Sequence, residues 1–255
     1  YAGAFAVIHN NLDAAMEAAN ITGSEGTLNR QAKSAARSAF ESTKQRFFGH
    51  LLTSMKTPTL IRSIEADLEA GHAAVIQIVS TGEALMERRL SEIPTEEWSD
   101  ISVDVTPREY VGSYLQHSFP VQLYEPFTDG EGNLSSRPVF RDGQPVESRE
   151  AVARRDEMLE QLGSLPAVPG ALDQIVQRFG TDMVAEVTGR SRRIVRKGDG
   201  ASARLAVENR APSANLAETS AFMDDQKRIL VFSDAGGTGR SYHAELSAKN
   251  QRLRV

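Results

Sequence analysis

The chain has 255 residues, 40% of them hydrophobic, and a formal net charge of −5, which is typical of a globular protein with one large α/β domain or two small ones. The absence of cysteine excludes disulfides, thiol catalysis and thiolate zinc sites, and it fits a reducing compartment. An acidic chain has no overall attraction to nucleic acid, so such binding must come from a local patch. No apolar run approaches the roughly 20 residues of a membrane span, and no signal peptide is visible. Since the sequence begins at Tyr1 and not at Met, we expect a fragment of a longer protein.

Residues 1–57 are predicted to form a helical segment. Apolar side chains recur at helical spacing in the first stretch, at Phe5, Ile8, Leu12 and Met16. After a break at residues 23–26, a long helix is predicted from about Leu28. Thr57 and Pro58 then resemble an N-cap followed by proline at the first helical position, which predicts a new helix from Pro58 to a stop at Gly71.

Three short apolar runs predict buried strands at residues 73–79, 183–187 and 229–232. Helical patterns separate them, and Asn215 and Glu218 have the spacing of a capping box before the last strand. This alternation predicts an α/β fold, with a parallel sheet flanked by helices and right-handed crossovers.

Residues 94–170 are predicted to be a large insertion in a domain that covers residues 58–255. Eight of the ten prolines lie there. Residues 119–147 have the composition of an extended loop with a hairpin near Asp142-Gly143, and helices are predicted over 149–162 and 171–179. Small polar residues over 197–210 predict a mobile loop.

A glycine-rich loop follows the third predicted strand. Its candidate nucleotide-binding residues are Asp234, Gly236, Gly237, Thr238 and Gly239. Ligands of open α/β sheets bind at the carboxyl ends of the strands, and glycine lets backbone N–H groups approach a phosphate. The sequence of this loop matches neither a P-loop nor a dinucleotide-binding fingerprint. Arg240 occupies the position of the P-loop lysine, and Tyr242 occupies the position of the third glycine of the fingerprint. A tight turn without a ligand is the alternative.

Two further segments are candidates for contacts with a nucleic-acid backbone. Residues 80–83 combine hydroxyls with the start of a helix, which favours an anion, although an ordinary helix cap has the same pattern. Residues 188–197 carry five positive charges and no acid, which is typical of a phosphate-binding patch or of a solvated turn. The nucleic-acid candidates are Ser80, Thr81, Gly82, Thr188, Gly189, Arg190, Arg192, Arg193, Arg196 and Ser233.

The five histidines show no metal-ligand spacing, and the adjacent acidic pairs face different ways on a helix. We therefore assign no catalytic residue and no metal ligand.

Together these segments resemble the strawberry notch family, which is related to superfamily-two helicases. Residues 45–48 and 71–84 are similar to that family's entry into its second RecA-like domain, and residues 183–190 to the next strand and loop. Residues 222–243, with Ser233-Asp-Ala-Gly-Gly-Thr-Gly239, resemble the helicase motif V. The sequences of these segments are most similar to the bacterial branch of the family, and this resemblance implies a cytoplasmic bacterial protein.

The resemblance implies a P-loop NTPase fold and an ATP-dependent motor on nucleic acid, with DNA as the expected polymer. ATP and Mg²⁺ would belong to the full-length protein, where this second RecA-like domain faces a first one elsewhere in the chain. Ser80, Thr81 and Gly82 would then contact the nucleic-acid backbone, and the loop from Ser233 to Gly239 would link nucleic acid to ATP.

Three motifs of such motors are absent from this sequence: a Gly-Lys-Ser/Thr phosphate loop, an Asp-Glu pair directly after an apolar strand to hold Mg²⁺, and the arginine-finger segment. We therefore expect no ATP hydrolysis by this chain alone. Their absence also leaves open a different class of protein, a non-catalytic scaffold whose insertion holds a protein partner. A nucleotide-binding fold that uses only the loop at residues 237–239 is a further alternative.

Overall fold

The computed structural model describes residues 1–101, 108–166, 168–198 and 203–255. The helices of these residues are α1 (Ala2–Ala18), α2 (Arg30–Glu69), α3 (Glu83–Leu90), α4 (Arg108–His117), α5 (Arg149–Gly163), α6 (Ala171–Phe179), α7 (Ala214–Met223) and the short α8 (Asp234–Gly237), with a 3₁₀ turn at Thr95–Ser99. The strands are β1 (Thr22–Gly23), β2 (Gly26–Thr27), β3 (Ala74–Gln77), β4 (Tyr124–Thr128), β5 (Leu134–Pro138), β6 (Phe140–Arg141), β7 (Gln144–Pro145), β8 (Val184–Val187), β9 (Arg192–Lys197), β10 (Arg204–Asn209) and β11 (Ile229–Phe232).

The chain divides into two compact units. We call Tyr1–Gly49 with Arg108–Ala167 the N-terminal unit, and His50–Pro107 with Val168–Val255 the sheet unit. The sequence analysis placed a boundary at residue 57 and treated 94–170 as an insertion in the second domain. The contacts instead group most of that predicted insertion with the N-terminal helices.

In the N-terminal unit, α1 buries the apolar stripe that its spacing predicts, from Phe5 to Met16. Phe5 packs against Phe47 of α2, with ring centroids 5.1 Å apart. The hairpin predicted near Asp142-Gly143 is confirmed as β6–β7, where both turn residues have positive φ, 51° and 76°. Such a turn suits a two-residue hairpin loop. The β4–β5 hairpin was not predicted, because its residues have the composition of a loop.

The predicted helix start at Thr57-Pro58 is wrong, since α2 continues through both residues to Glu69. The Thr57 hydroxyl donates to the Thr53 carbonyl over 2.8 Å, as an interior helical threonine does. An interior proline removes one backbone donor. The helix persists because tertiary packing supplies most helical stability, and Ile64, only 2% exposed, packs in the core beside the sheet. The predicted stop is confirmed at Gly71, where φ is +86°.

The sheet unit contains the predicted parallel sheet, in the order β3-β11-β8. Ile229, Leu230 and Val231 of the central strand are fully buried. One face packs against α2 and α6, through Ile64 and Ile175, and the other against Phe222 of α7. Residues 253–255 run beside β3, where the Ala73 N–H donates to the Leu253 carbonyl over 2.9 Å. The predicted α/β class with a parallel, helix-flanked sheet is confirmed.

The predicted mobile loop at 197–210 is wrong over Arg204–Asn209, which forms β10 and pairs antiparallel with β9 along six residues. Residues 199–202 of that prediction lie outside the described residues. The hairpin is ordered because Val195 and Ala206 are buried on one of its faces and Ile194 on the other.

The predicted capping box is also wrong. Ser213 is the N-cap of α7, and Asn215 lies inside the helix. The Asn215 amide donates to the Thr188 carbonyl over 2.8 Å, and Glu218 accepts from Lys227 over 2.5 Å.

Candidate functional site

Three loops leave the carboxyl ends of the parallel strands and therefore lie at one edge of the sheet, which we call the carboxyl edge. They are residues 78–82 after β3, 188–191 after β8 and 233–239 after β11. Side chains connect them: the Gln77 amide donates to Asp234 Oδ1 over 3.1 Å, and Glu83 Oε1 accepts the Ser191 N–H over 2.8 Å. This edge is where open α/β sheets bind ligands.

In the glycine-rich loop, two of the glycines pack against protein. A Cβ on Gly236 would overlap the carbonyl oxygen of Val187 and lie 2.9 Å from its Cγ1, so only glycine lets this turn pack on the end of β8. A Cβ on Gly237 would lie 2.9 Å from the ring of Phe232. The tight-turn interpretation therefore accounts for these two positions.

Three further members of this loop are accessible to a ligand. Asp234, Thr238 and Gly239 are exposed, and Gly239 has a φ of +70° with open space around its Cα. Ser233 is buried and caps α8. The hydroxyl of Tyr242 donates to the Gly236 carbonyl over 2.5 Å and fixes the turn from the other side. Of the predicted nucleotide-binding residues, a ligand can reach Asp234, Thr238 and Gly239 directly.

The loop after β3 presents hydroxyls at the start of α3. Ser80 Oγ accepts the Gly82 N–H and Thr81 Oγ1 accepts the Glu83 N–H, both over 3.3 Å. Gly82, with a φ of +71°, is the N-cap of the helix. The hydroxyls thus act as local caps, and Ser80 is exposed as well. Their contact with a nucleic-acid backbone stays a prediction.

The structure places the arginines of the basic segment differently from what the phosphate-contact interpretation needs. Arg190 has a side chain 1% exposed and donates to Glu186 over 2.5 and 3.0 Å and to Asp173 over 2.8 Å. Arg193, 8% exposed, donates to Glu208 over 2.6 Å. Carboxylates inside the protein therefore hold both guanidinium groups, although Arg193 Nη1, 3.7 Å from Glu186 Oε2, makes no hydrogen bond within the described residues.

The remaining candidates of that segment differ in accessibility. Arg192 pairs with Glu87 and covers the ring of Trp98 at 5.0 Å. Thr188 is buried, whereas Gly189 and Arg196 are exposed.

The sequence analysis missed the centre of this arrangement, Glu186. It is fully buried on β8, with Arg190, Arg193 and Arg210 around it. Burial by itself raises the pKa of the Glu186 carboxyl, but the charge and hydrogen bonds of Arg190, the charge of Arg210 and the hydroxyl of Thr188 outweigh it, so the pKa is lowered. The available signal was an acid in an otherwise apolar strand, because a buried acid requires a partner.

Arg210 holds the loop after β8 in place. Its Nη2 donates to the Glu186 carbonyl over 2.6 Å and its Nη1 to the Arg190 carbonyl over 2.7 Å. One side chain thus ties both ends of the turn at residues 186–190 together.

Within the described ranges, no cluster of histidine and acidic side chains has the geometry to hold a metal ion. No helix of those ranges is both long and apolar enough to cross a membrane.

Comparison with known proteins agrees with this architecture. Residues 170–255, which include β8, β11 and the loops after both, match a family model described as the C-terminal domain on strawberry notch homologues. By this match, residues 170–255 resemble the strawberry notch C-terminal domain. The predicted family resemblance is thereby confirmed, and the parallel sheet with its flanking helices is consistent with a RecA-like helicase C-terminal domain.

Several strawberry notch proteins are similar to the chain. Rat strawberry notch homolog 1 is 27% identical over 286 residues, which cover 85% of this chain and 22% of that protein. Human homolog 1 is 36% identical over 43% of this chain and 9% of its own length, and Drosophila strawberry notch 34% identical over 41% and 7%. The chain thus spans about a fifth or less of these relatives. No solved structure matches it significantly. The similarity identifies the chain as helicase-like; its predicted bacterial origin stays a prediction.

Proposed function

We propose that the chain is part of an ATP-dependent helicase or translocase, in which the carboxyl edge contributes contacts to nucleic acid and, facing another RecA-like domain, to ATP. The observation that supports this best is the convergence of three polar loops on one sheet edge, two of them within the strawberry notch domain. Backbone N–H groups and hydroxyls at such an edge bind phosphates without reading base sequence.

The accessible groups define which residues would make these contacts. They are the exposed Ser80, Gly189, Asp234, Thr238 and Gly239 with the half-buried Thr81 and Gly82. Gly236 and Gly237 act indirectly by seating the loop on β8 and β11. The hydroxyls and exposed backbone N–H groups of this set are donors suited to phosphate oxygens of a nucleic-acid backbone or of ATP, whereas the Asp234 carboxylate accepts and would instead face a donor such as a sugar hydroxyl.

Hydrolysis requires groups that this sequence does not contain. The chain has no phosphate-loop lysine and no Asp-Glu pair directly after an apolar strand to hold Mg²⁺. In the whole protein, hydrolysis of ATP would supply the free energy for movement along nucleic acid, and Mg²⁺ would neutralise charge on the ATP phosphates. This chain would sense and transmit that state, and by itself it should not hydrolyse ATP.

One observation favours the second candidate, a non-catalytic scaffold. The arginines at positions 190 and 193, which the motor interpretation assigned to phosphate, are bound to carboxylates inside the fold. A scaffold needs these ion pairs only for stability.

Fluorescence anisotropy of the 255-residue chain with labelled single- and double-stranded oligonucleotides separates the two. The motor proposal expects binding at about 50 mM salt that weakens sharply at about 200 mM, because each phosphate contact on a duplex releases counterions and contributes about a 3.5-fold loss over that range. Absence of binding at the lower salt would contradict the nucleic-acid contact proposed for this chain and favour the scaffold.

Variants then locate the contact. Ser80→Ala and Thr238→Val should each weaken binding roughly 2- to 12-fold, the value of one hydrogen bond. Thr59→Val, which removes an exposed hydroxyl from α2, is the matched control and should bind like the parent chain. Equal affinities for all three variants would exclude the carboxyl edge as the contact surface.

A further inference from the structure

The β9–β10 hairpin ends in a group of exposed cations, Arg196, Lys197 and Arg204, which we call the hairpin tip. Lys197 lies directly opposite Arg204 in the ladder. Residues directly opposite across an antiparallel pair have Cβ atoms about 5 Å apart, and like charges in that position are destabilising. The fold therefore tolerates a repulsion at this point.

The tip differs from the rest of the same hairpin, where the cations are neutralised. Arg192 pairs with Glu87, and Arg193 with Glu208 directly across the ladder. Among the residues that the structure describes, no ion pair joins any of the three tip cations to a carboxylate. Asp199 belongs to the same segment but lies outside the described residues, and with it residues 196–204 still carry a net charge of +2.

The base of the hairpin is fixed, so the tip is presented by a rigid support. Ile194 packs with Met86 and Leu90 of α3, and Val195 packs with the core around the parallel sheet. Positive charges that are held in place and lack internal partners are poised for an anion, because ion pairing with a ligand would remove the repulsion between them.

We propose that the hairpin tip is a second nucleic-acid contact, separate from the carboxyl edge, and that Arg196, Lys197 and Arg204 bind the phosphate backbone there. The proposal rests on the proposed function, which takes nucleic acid as the ligand. Lys197 and Arg204 share one face of the hairpin and Arg196 lies on the other; because a duplex carries one charge per about 1.7 Å of axis, cations at this spacing can meet neighbouring phosphates. This contact is electrostatic and independent of sequence. The phosphate contacts that the sequence analysis assigns to Arg190 and Arg193 would thus be made by the exposed end of the hairpin.

Charge reversal at one position tests the proposal without unfolding the hairpin. Lys197→Glu replaces a repulsion with an attraction to Arg204, so the melting temperature should be unchanged or higher. Binding of a duplex oligonucleotide should weaken, and the slope of log K against log salt should become shallower by about 1. Lys56→Glu makes the same charge change at an exposed site on α2 and should leave the slope as in the parent chain.

The outcomes separate this inference from the proposed function. Binding by the parent chain with identical slopes for Lys197→Glu and Lys56→Glu would overturn the hairpin tip and leave the proposed function standing. No binding by the parent chain at about 50 mM salt would overturn both. If Lys197→Glu lowers the melting temperature, Lys197→Gln replaces it as the test, because it removes the charge without reversing it. A slope of log K against log salt equal to that of the parent chain would then overturn the proposal.

Discussion

Removal of the charge on Glu186 should destabilise the sheet unit strongly. In the Glu186→Gln variant the side chain keeps its shape, but one carboxylate oxygen becomes an amide donor. That oxygen faces donors in either orientation, since Oε1 accepts from Arg190 over 2.5 Å and from Thr188 over 2.7 Å, and Oε2 from Arg190 over 3.0 Å. Arg193 and Arg210, 3.7 and 3.5 Å from the carboxylate, would also lose their central counterion.

The magnitude follows from burial. Glu186 is fully buried and Arg190 only 1% exposed, so solvent cannot replace the lost charge. Removal of one partner from a buried pair costs about 3–5 kcal/mol. The peripheral acids Asp173 and Glu208 compensate in part, which places the expectation at the lower end of that range.

Urea unfolding followed by tryptophan fluorescence measures this free energy. Trp98 is the single tryptophan of the chain, lies in the sheet unit and is covered by Arg192 at 5.0 Å, so its emission reports on the unit that contains Glu186. A local probe is needed because a chain with two units need not unfold in one step. Glu92→Gln is the control, since that side chain is 49% exposed and its pair with Arg89 contributes at most about 1 kcal/mol.

A pH series gives a second readout. Because the folded-state pKa of Glu186 is lowered, its stabilisation is present above the ordinary value of 4.5 and is lost as the pH falls below it, through the lowered folded-state pKa. The parent chain should therefore lose more stability on acidification than Glu186→Gln. A destabilisation by Glu186→Gln no larger than that of the control, with parallel pH curves, would refute the reasoning.

Three further predictions concern the turns and the long helix. Gly236→Ala should lower the unfolding free energy by at least about 2 kcal/mol, because the added Cβ would overlap the backbone of Val187. Gly237→Ala should cost less, because its Cβ would contact the ring of Phe232, which can move. Urea unfolding of the two variants measures the difference. Pro58→Ala should raise the unfolding free energy by up to about 3 kcal/mol, and with it the melting temperature, because it restores a hydrogen bond inside α2. An unchanged melting temperature would indicate that the helix is interrupted at this position. Tyr242→Phe should cost about 1 kcal/mol through the lost bond to the Gly236 carbonyl, and a neutral effect in urea unfolding would count against that bond.

The sequence predicted those parts of the fold that local patterns determine. The strands β3, β8 and β11 are short apolar runs bounded by turns, and such runs have few alternatives in a chain of this length. The Asp142-Gly143 hairpin follows in the same way from turn chemistry.

Predictions failed where distant packing overrode a local signal. Thr57 and Pro58 have the residue types of a helix start, yet buried contacts on both sides keep α2 continuous. In β10, apolar and polar residues alternate over only six positions, next to a loop rich in small residues, so the local pattern favours a loop.

The candidate site was predicted in outline but not in the roles of its residues. Position after a strand is enough to place Ser80 and Asp234 at the carboxyl edge. The basic segment contains no acid of its own, so its sequence looks free to bind phosphate. Its partners come from elsewhere in the fold: Asp173 precedes Arg190 by 17 residues and Glu208 follows Arg193 by 15. Only the three-dimensional arrangement shows which cations remain available.

Hydrogen–deuterium exchange of the 255-residue chain, with and without a single-stranded oligonucleotide at about 50 mM salt, tests the central claim most directly. If the carboxyl edge holds nucleic acid, amide exchange should slow together in the three loops at residues 78–82, 188–191 and 233–239. Binding that leaves all three loops unprotected, or that protects only the N-terminal unit, would contradict the account.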